Sequence, residues 1–227
     1  MAEVCPERVI DDPELRGREG VFRDREQAGR HLASMMADLA QSDALVLAIP
    51  AGGVPVAAPL AEELGLELDV AVVSKITLPW NTEAGYGAVA FDGTMRINER
   101  LLARLALNEQ QVAAGVQKTR EKVRRRVREL RGDRPLPEMA GRPVLLVDDG
   151  LASGFTMLTA AEAVRKAGAE MLIVAVPTAH EDALHRVLDE VDCVYCANLR
   201  GGVRFAVANA YVNWYDVSLD EARGFLV

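Results

Sequence analysis

The chain has 227 residues, of which 50% are hydrophobic and 26% are charged, the composition of a folded protein rather than a disordered one. This length buries one substantial core without disulfides, and nothing looks like an interdomain tether, so we predict a single domain over residues 1–227. No apolar run approaches the roughly 18–20 residues of a membrane helix, and Met1–Arg8 lacks the pattern of a secretory signal. The formal net charge of −8 argues against a general nucleic-acid binder. We therefore expect a cytoplasmic protein without membrane or nucleic acid as a partner.

The first half of the chain predicts a helix followed by a strand–turn–helix–strand unit. Apolar residues recur at helical spacing from about Asp24 to Gln41, after an Asp that can cap a helix. The apolar run Ala44–Ile49, the turn Pro50–Pro55 and a helix ending at Leu64 then lead to a second apolar run, Asp69–Ser74. This order predicts a βαβ unit with parallel strands.

The middle of the chain is expected to hold a long loop or ribbon and then one long helix. Gly, Asn and Thr are frequent from Pro79 to Asp92, and Thr94–Asn98 alternates like an edge strand. Glu99–Arg131 is strongly helical and is interrupted only by Gly115. The segment 80–92 is a candidate lid that would close over a ligand to exclude water, and a simple exposed hairpin is the alternative.

The second half repeats the alternation of strands and helices. We predict strands at Pro143–Val147, Met171–Val176 and Asp192–Ala197, with helices at Thr156–Ala167 and Glu181–Glu190. Fully apolar strands that alternate with helices predict an α/β, doubly wound, mainly parallel sheet flanked by helices. In such sheets, ligands bind outside the carboxyl ends of the strands.

One strand-to-helix segment carries most of the chemistry. The strand ending at Val147 is followed by two adjacent carboxylates, Asp148 and Asp149, and then by Ser153-Gly154-Phe155-Thr156. Amides at a helix N-terminus, joined by the Ser and Thr hydroxyls, form a cradle for a phosphate group. Carboxylates accept hydrogen bonds from vicinal hydroxyls, so a phosphate beside a diol indicates a ribose 5-phosphate. The alternative is an ordinary turn in which an Asp caps the helix.

This segment resembles the motif of the type I phosphoribosyltransferase family that binds 5-phosphoribosyl-1-diphosphate (PRPP). The family pattern is an apolar strand, two acids, small or apolar residues, Thr or Ser, Gly, any residue and Thr. The resemblance implies that Asp148 and Asp149 are the catalytic acids, holding the ribose hydroxyls. It implies a 5-phosphate loop formed by Ala152, Ser153, Gly154, Phe155 and Thr156. It also implies Mg²⁺ as the cofactor, which the acids would reach only indirectly, through ribose hydroxyls or water.

A second segment looks like the family's diphosphate-binding loop. Ala51, Gly52 and Gly53 follow the first buried strand, and glycines permit the backbone to approach an anion closely. In related sequences the residue before the glycine pair is often basic, and Ala51 departs from that pattern. We expect Lys75, at a strand end, to reach the diphosphate; the alternative is a solvated surface lysine.

These features predict a phosphoribosyltransferase that moves the 5-phosphoribosyl group of PRPP to a nitrogen acceptor, a nucleobase, and releases diphosphate. We expect the acceptor beneath a C-terminal hood, formed mainly by residues 198–227 with part of the N-terminus. Phe205, Tyr211 or Trp214 would stack on a flat base there, and each is also a candidate core aromatic. The expected partners are PRPP and this small-molecule acceptor, with a homodimer as one option for assembly.

A non-catalytic regulator that senses PRPP or a nucleotide is the alternative function, motivated by the uncharged Ala51. The basic stretch 118–131 would then contact RNA or DNA, whereas a solvated helix face with paired charges is the simpler interpretation. A hydrolase is disfavoured because no GxSxG motif is present, and His31, His180 and His185 lack the spacing of metal ligands. His180 stays a candidate base at the edge of the site.

Overall fold

The computed structural model describes residues 7–226, and of Thr82 and Glu83 the backbone alone. The strands are Val9–Asp11 (β1), Leu45–Ala48 (β2), Glu67–Val70 (β3), Val73–Leu78 (β4), Asn81–Ala90 (β5), Met95–Ile97 (β6), Pro143–Val147 (β7), Met171–His180 (β8) and Cys193–Arg200 (β9). The helices are Arg25–Met35 (α1), Val54–Leu64 (α2), Glu99–Leu102 (α3), Glu109–Arg131 (α4), Phe155–Lys166 (α5), Glu181–Leu188 (α6) and Leu219–Gly224 (α7). The start of the chain, where no secretory signal is predicted, lies largely outside the described residues.

The main sheet has six parallel strands in the order β1-β9-β8-β7-β2-β3. Successive side chains of a strand point to opposite faces, so on β2 Val46 packs into one apolar cluster and Leu47 into the other. Helices α1, α2 and α7 and part of α4 cover the first face, and α5 and α6 cover the second. This arrangement confirms the predicted doubly wound, mainly parallel α/β fold.

The predicted βαβ unit is present, but its second strand is divided. Strand β3 pairs in parallel with β2 and ends at Val70, and Val73 begins β4 in a separate three-stranded antiparallel sheet, β4-β5-β6. Both halves of the apolar run are buried, so hydrophobicity gave no sign of the division. The segment predicted as a loop or ribbon is a ribbon, because β5 pairs with both β4 and β6. Closure of this ribbon as a lid remains a prediction.

The long helical region is broken before Gly115 rather than at it. Helix α3 ends at Leu102, and α4 begins after Asn108, whose side chain accepts a 2.9 Å hydrogen bond from the Gln111 amide. The Gln111 side chain accepts in return from the Asn108 amide, which completes a capping box. Position 115 lies inside α4, where a side chain is excluded because a Cβ would lie 2.5 Å from the Tyr86 hydroxyl. This glycine therefore serves helix packing.

The C-terminal segment is held against the chain that precedes α1. Phe22 donates its amide to the Ala210 carbonyl at 3.0 Å and accepts from Val212 at 2.8 Å. Strand β1, which the sequence analysis missed because it has three residues, adds to β9 at the edge of the main sheet. Within residues 7–226, no helix has the length and apolar character needed to cross a membrane.

Candidate functional site

A cavity of about 430 Å³ lies at the carboxyl ends of the parallel strands. Ile49 and Pro50 line it after β2, Lys75 lines it from β4, and most of the segment 148–157 lines it after β7. Val207 and Trp214 contribute from the C-terminal segment. The cavity therefore joins the acid pair, most of the loop before α5 and Lys75, which lies inside β4 rather than at a strand end as predicted. The predicted residues 51–53 are not among the residues that line it.

The two adjacent acids in this cavity, Asp148 and Asp149, both have raised pKa values. Burial and the neighbouring Asp149 carboxylate raise the pKa of Asp148 well above its ordinary value, while Lys75 opposes the rise. Burial also raises the pKa of Asp149, and the guanidinium of Arg25 opposes that shift. The Asp148 carboxylate accepts a hydrogen bond from the Asp149 amide at 2.9 Å. Two adjacent carboxylates in a shielded site favour a ligand that donates hydrogen bonds or carries positive charge.

Arg25 supports the acid pair, and the sequence analysis did not identify it. Its Nε and Nη2 both donate to Oδ2 of Asp149, at 3.0 and 2.9 Å. Its Nη1 donates to the Tyr215 carbonyl at 2.9 Å, and its guanidinium lies 3.9 Å from the ring centroid of Trp214. Arg25 is 5% exposed and shares a helix face with Ala28 and Leu32. The sequence did contain one signal: Arg25 is spaced so that it lies on the same helix face as the apolar residues Ala28 and Leu32.

The loop before α5 has the form of an anion cradle. Gly154 precedes the helix with φ 73°, and a Cβ there would lie 3.1 Å from the Val187 side chain. Leu151 fixes the loop to β8 by donating to the Thr178 carbonyl and accepting from His180, both at 2.9 Å. The amides of Ser153, Gly154 and Thr156 make no hydrogen bond to any described residue.

Of the five predicted members of the 5-phosphate loop, Phe155 alone is not among the residues that line the cavity. The Phe155 amide donates to the Ser153 hydroxyl at 3.4 Å, and the Phe155 side chain lines a groove beside β5 rather than the cavity. Ala152, Ser153, Gly154 and Thr156 all line the cavity. The cradle therefore presents amides and small side chains to the cavity.

The loop after β2 lies directly against the acid pair. A Cβ at Gly52 would sit 2.1 Å from Oδ2 of Asp149, and one at Gly53 would sit 2.6 Å from the carbonyls of Ile49 and Val147. The peptide bond between Pro50 and Ala51 is cis. The amides of Ala51 and Gly52 make no hydrogen bond within residues 7–226. These amides are available for an anion next to the acids.

Helix α4 brings two further cations to the cavity that were not predicted as site residues. Lys122 and Arg126, one turn apart, both line it. Nη1 of Arg126 lies 3.5 Å from the hydroxyl of Ser74, the residue before Lys75. The basic stretch thus has at least one face directed at the cavity.

The structure does not bring the predicted acceptor residues Phe205 and Tyr211 into the cavity wall. Tyr211 is 5% exposed, its ring lies between Phe22 and Trp214, and its hydroxyl donates to the Asp149 carbonyl at 2.7 Å. Burial raises the pKa of this hydroxyl well above its ordinary value. Tyr211 therefore supports the acid loop, and Trp214, also considered in the sequence analysis, is the aromatic residue in the wall.

Phe205 lies in a different place from Tyr211. Its ring packs on the Arg200 guanidinium at 4.7 Å and on the His180 ring at 5.4 Å, in a pocket beside Gly201 and Gly202. The imidazole of His180 caps α6 by accepting from the Asp182 amide at 3.1 Å. Neither side chain is part of the cavity wall, so His180 is not positioned as its base.

The fold and these loops define a doubly wound α/β protein with a cavity at the carboxyl ends of its parallel strands. The sequence pattern of the family described as "Phosphoribosyl transferase domain" matches residues 22–207. The chain belongs to this family, as the motif at 147–156 implied.

Relatives from other organisms share this domain. A crystal structure of a protein from Thermus thermophilus matches with a TM-score of 0.71 and 33% identity, over 90% of this chain and 97% of that one. Two curated proteins from strains of Mycobacterium tuberculosis, each named "Putative phosphoribosyl transferase", are 35% identical over 206 residues, or 91% of this chain. The chain spans 46% of the length of those curated relatives.

Proposed function

We propose that this protein transfers the 5-phosphoribosyl group of PRPP to a nitrogen acceptor, a nucleobase, and releases diphosphate. The observation that carries the proposal is that the acid pair lies between two loops with free backbone amides, the loop before α5 in the cavity wall and the loop after β2 against Asp149. The amides of the loop 153–156 would take the 5-phosphate, Asp148 and Asp149 the ribose hydroxyls, and the loop at 51–53 the diphosphate. These three parts match the three parts of PRPP.

In this reaction the acceptor nitrogen forms a bond to C1 of the ribose while the bond from C1 to the diphosphate oxygen breaks. The electron pair of that bond leaves with diphosphate, and the proton of the acceptor nitrogen is released to water. Positive charge builds on the ribose before the new bond is complete, and the carboxylates of Asp148 and Asp149 would stabilise it. The chain would otherwise act by holding both reactants in line.

The acid pair fits an indirect role toward Mg²⁺. Among the described side chains, no three His, Cys, Asp or Glu residues come together as a metal cage, and Arg25 occupies Oδ2 of Asp149. Mg²⁺ commonly keeps several waters and binds substrate phosphates with few protein ligands, so this donor set suits it. Asp148 and Asp149 would hold it through ribose hydroxyls or water, and when bound it would neutralise charge on the departing diphosphate.

Trp214 would form the acceptor side of the site. Trp214 is 38% exposed and lines the cavity. Its ring packs on the guanidinium of Arg25, which in turn pairs with Asp149. A flat aromatic ring held by a guanidinium provides a stacking surface for a base. The acceptor would then lie between Trp214 and C1 of the ribose.

The test is calorimetric titration of PRPP with Mg²⁺ into the wild type and into Asp148→Asn/Asp149→Asn. Diphosphate release is then measured in the same samples as purine and pyrimidine bases are added. We expect saturable binding that the double variant loses, with release that depends on the base. The matched control is Glu62→Gln/Glu63→Gln, an adjacent pair of exposed acids on α2.

The outcomes separate the two functions considered. Binding without release for any base would contradict the transferase and favour the non-catalytic sensor. Absence of PRPP binding by the wild type would overturn both. Equal PRPP affinity of the wild type and the Asp148→Asn/Asp149→Asn variant would show that the acid pair does not bind PRPP.

A further inference from the structure

The proposed diphosphate loop carries no charged side chain, because Ala51 stands where related sequences often have a basic residue. Diphosphate is strongly anionic, and its departure with a bonding electron pair adds to the charge on the departing oxygen. The two acids beside it repel it, and Arg25 is engaged with one of them. Cations from another part of the chain would therefore add to the positive charge that Mg²⁺ would supply at this end of the cavity.

Helix α4 supplies such cations on one of its faces. Lys122 and Arg126 are spaced i, i+4, so they project from the same side of the helix. Both are partly buried and line the cavity, whereas Arg124 and Arg128 on the same helix are exposed and lie outside it. Within the basic stretch 118–131, Lys122 and Arg126 are therefore the cations that line the cavity.

These two cations lack the counter-ions that normally accompany partly buried charge. Among the side chains that the structure describes, Lys122 makes neither a hydrogen bond nor an ion pair, and the one hydrogen bond of Arg126 is the 3.5 Å contact with the neutral Ser74 hydroxyl. Glu129, the nearest acid along the helix from Arg126, pairs with Arg125 at 3.7 Å and only partly offsets the burial and the Arg125 repulsion that lower the pKa of Arg126. Burial, followed by repulsion from Arg126 and Arg125, lowers the pKa of Lys122. Two unpaired cations held close together stabilise an anion placed between them.

We propose that Lys122 and Arg126, together with Lys75, form the subsite for the diphosphate of PRPP and supply the charge that Ala51 does not. The inference rests on the function proposed above. The three cations belong together because Lys75, Lys122 and Arg126 line the same cavity. The anion would thus be held by side chains of α4 and β4 on one side and by the amides of Ala51 and Gly52 on the other.

The experiment compares three ligands by calorimetry: PRPP with Mg²⁺, inorganic diphosphate with Mg²⁺, and ribose 5-phosphate. Lys122→Gln/Arg126→Gln should weaken the first two by about 10-fold per residue, or about 100-fold together, as expected for charge-assisted contacts. Affinity for ribose 5-phosphate should stay within about 3-fold, because it has no diphosphate. The matched control is Arg124→Gln/Arg128→Gln, which removes the same charge at the same spacing.

Each outcome decides between failure of this inference and failure of the function. If the wild type binds PRPP and the two double variants weaken it equally, the subsite is overturned while the transferase stands. If the site variant weakens ribose 5-phosphate as much as PRPP, the two cations do not form a diphosphate subsite. If the wild type binds neither PRPP nor ribose 5-phosphate, both proposals fail.

Two further measurements exclude a purely structural effect. Lys122→Arg keeps the charge and should retain diphosphate affinity within about 3-fold, because guanidinium also binds phosphate oxygens well. The unfolding midpoint of free Lys122→Gln/Arg126→Gln should equal or exceed that of the wild type, since a repulsive pair has been removed. A lower midpoint together with loss of ribose 5-phosphate binding would mean that the helix had been damaged, and would overturn the assignment.

Discussion

The ion pair between Arg25 and Asp149 offers the sharpest test of how the acid pair is maintained. Both side chains are largely buried, with 6% and 17% exposure, so solvent screens their interaction little. Replacing Arg25 by Met leaves Asp149 without its cation, a change that costs about 3–5 kcal/mol of stability in buried pairs. The contacts of Arg25 with the Tyr215 carbonyl and the Trp214 ring account for about 1–2 kcal/mol of this.

A double-mutant cycle isolates the charge interaction. In an Asp149→Asn background Arg25→Met should cost only about 1–2 kcal/mol, which leaves a coupling energy of about 2–3 kcal/mol. The assay is urea unfolding followed by far-ultraviolet circular dichroism, because the fluorescence of Trp214 would change with Arg25 itself. Arg30→Met on the same helix is the control; Arg30 is 48% exposed, so about 0.5 kcal/mol or less is expected.

The pH dependence of Arg25→Met gives an independent check. The pKa of Asp149 is already raised in the folded state, and without Arg25 it rises further. A carboxyl with a folded pKa above its unfolded value of about 3.9 binds more protons when folded, so stability falls as pH rises from about 4 through the folded pKa. The deficit of Arg25→Met should therefore be larger at pH 8 than at pH 5. An equal cost in both backgrounds, or no pH dependence, would refute this account.

Three further predictions concern the acid pair and its surroundings. Asp148→Asn should raise the unfolding midpoint of the free protein at pH 8, by roughly 2–4 °C per kcal/mol, and not at pH 4, because the folded pKa of Asp148 is raised. Gly52→Ala should lower PRPP affinity at least about 10-fold in calorimetry, because its Cβ would meet Oδ2 of Asp149 at 2.1 Å. Trp214→Ala should raise KM for the acceptor in steady-state assays, whereas Tyr211→Phe should leave that KM unchanged and cost about 1 kcal/mol of stability through its lost hydrogen bond.

Matched variants test the physical basis of these three predictions. Glu62→Gln should not reproduce the pH-dependent gain of Asp148→Asn, and a gain that persists at pH 4 would contradict the charge argument. Gly224→Ala, where no atom lies within 4 Å of the new Cβ, should leave PRPP affinity unchanged. A larger acceptor KM for Tyr211→Phe than for Trp214→Ala would restore Tyr211 as the stacking residue.

The fold was largely predictable because its strands are short apolar runs and its helices have clear apolar faces. The division of 69–74 between two sheets was not, since both halves are apolar and buried and only the pairing partners differ. The start of α4 was present in the sequence as Asn108 and Gln111, a capping pattern that the stronger signal of Gly115 obscured. That glycine is explained by the Tyr86 hydroxyl, which is distant along the chain.

The site was predictable where its parts are contiguous. The acids and the loop 152–156 form one strand-to-helix segment, so their proximity follows from the local sequence. Arg25 comes from an element 124 positions away from Asp149, and no local pattern links the two. Lys122 and Arg126 lie in a helix that is basic on several faces, so the sequence could not indicate which cations meet the cavity.

The division of the chain at Val70 and Val73 has a mechanical consequence. The acids and the loop before α5 directly follow β7 of the large sheet, whereas Lys75 belongs to the small sheet, against which α4 packs. A ligand that contacts the acids at one end and Lys75 at the other would restrict the motion of the two sheets relative to each other. The buried segment Ala71–Val72, which connects the sheets, would then become more rigid. Its amides are where ligand-dependent slowing of hydrogen exchange should be sought first.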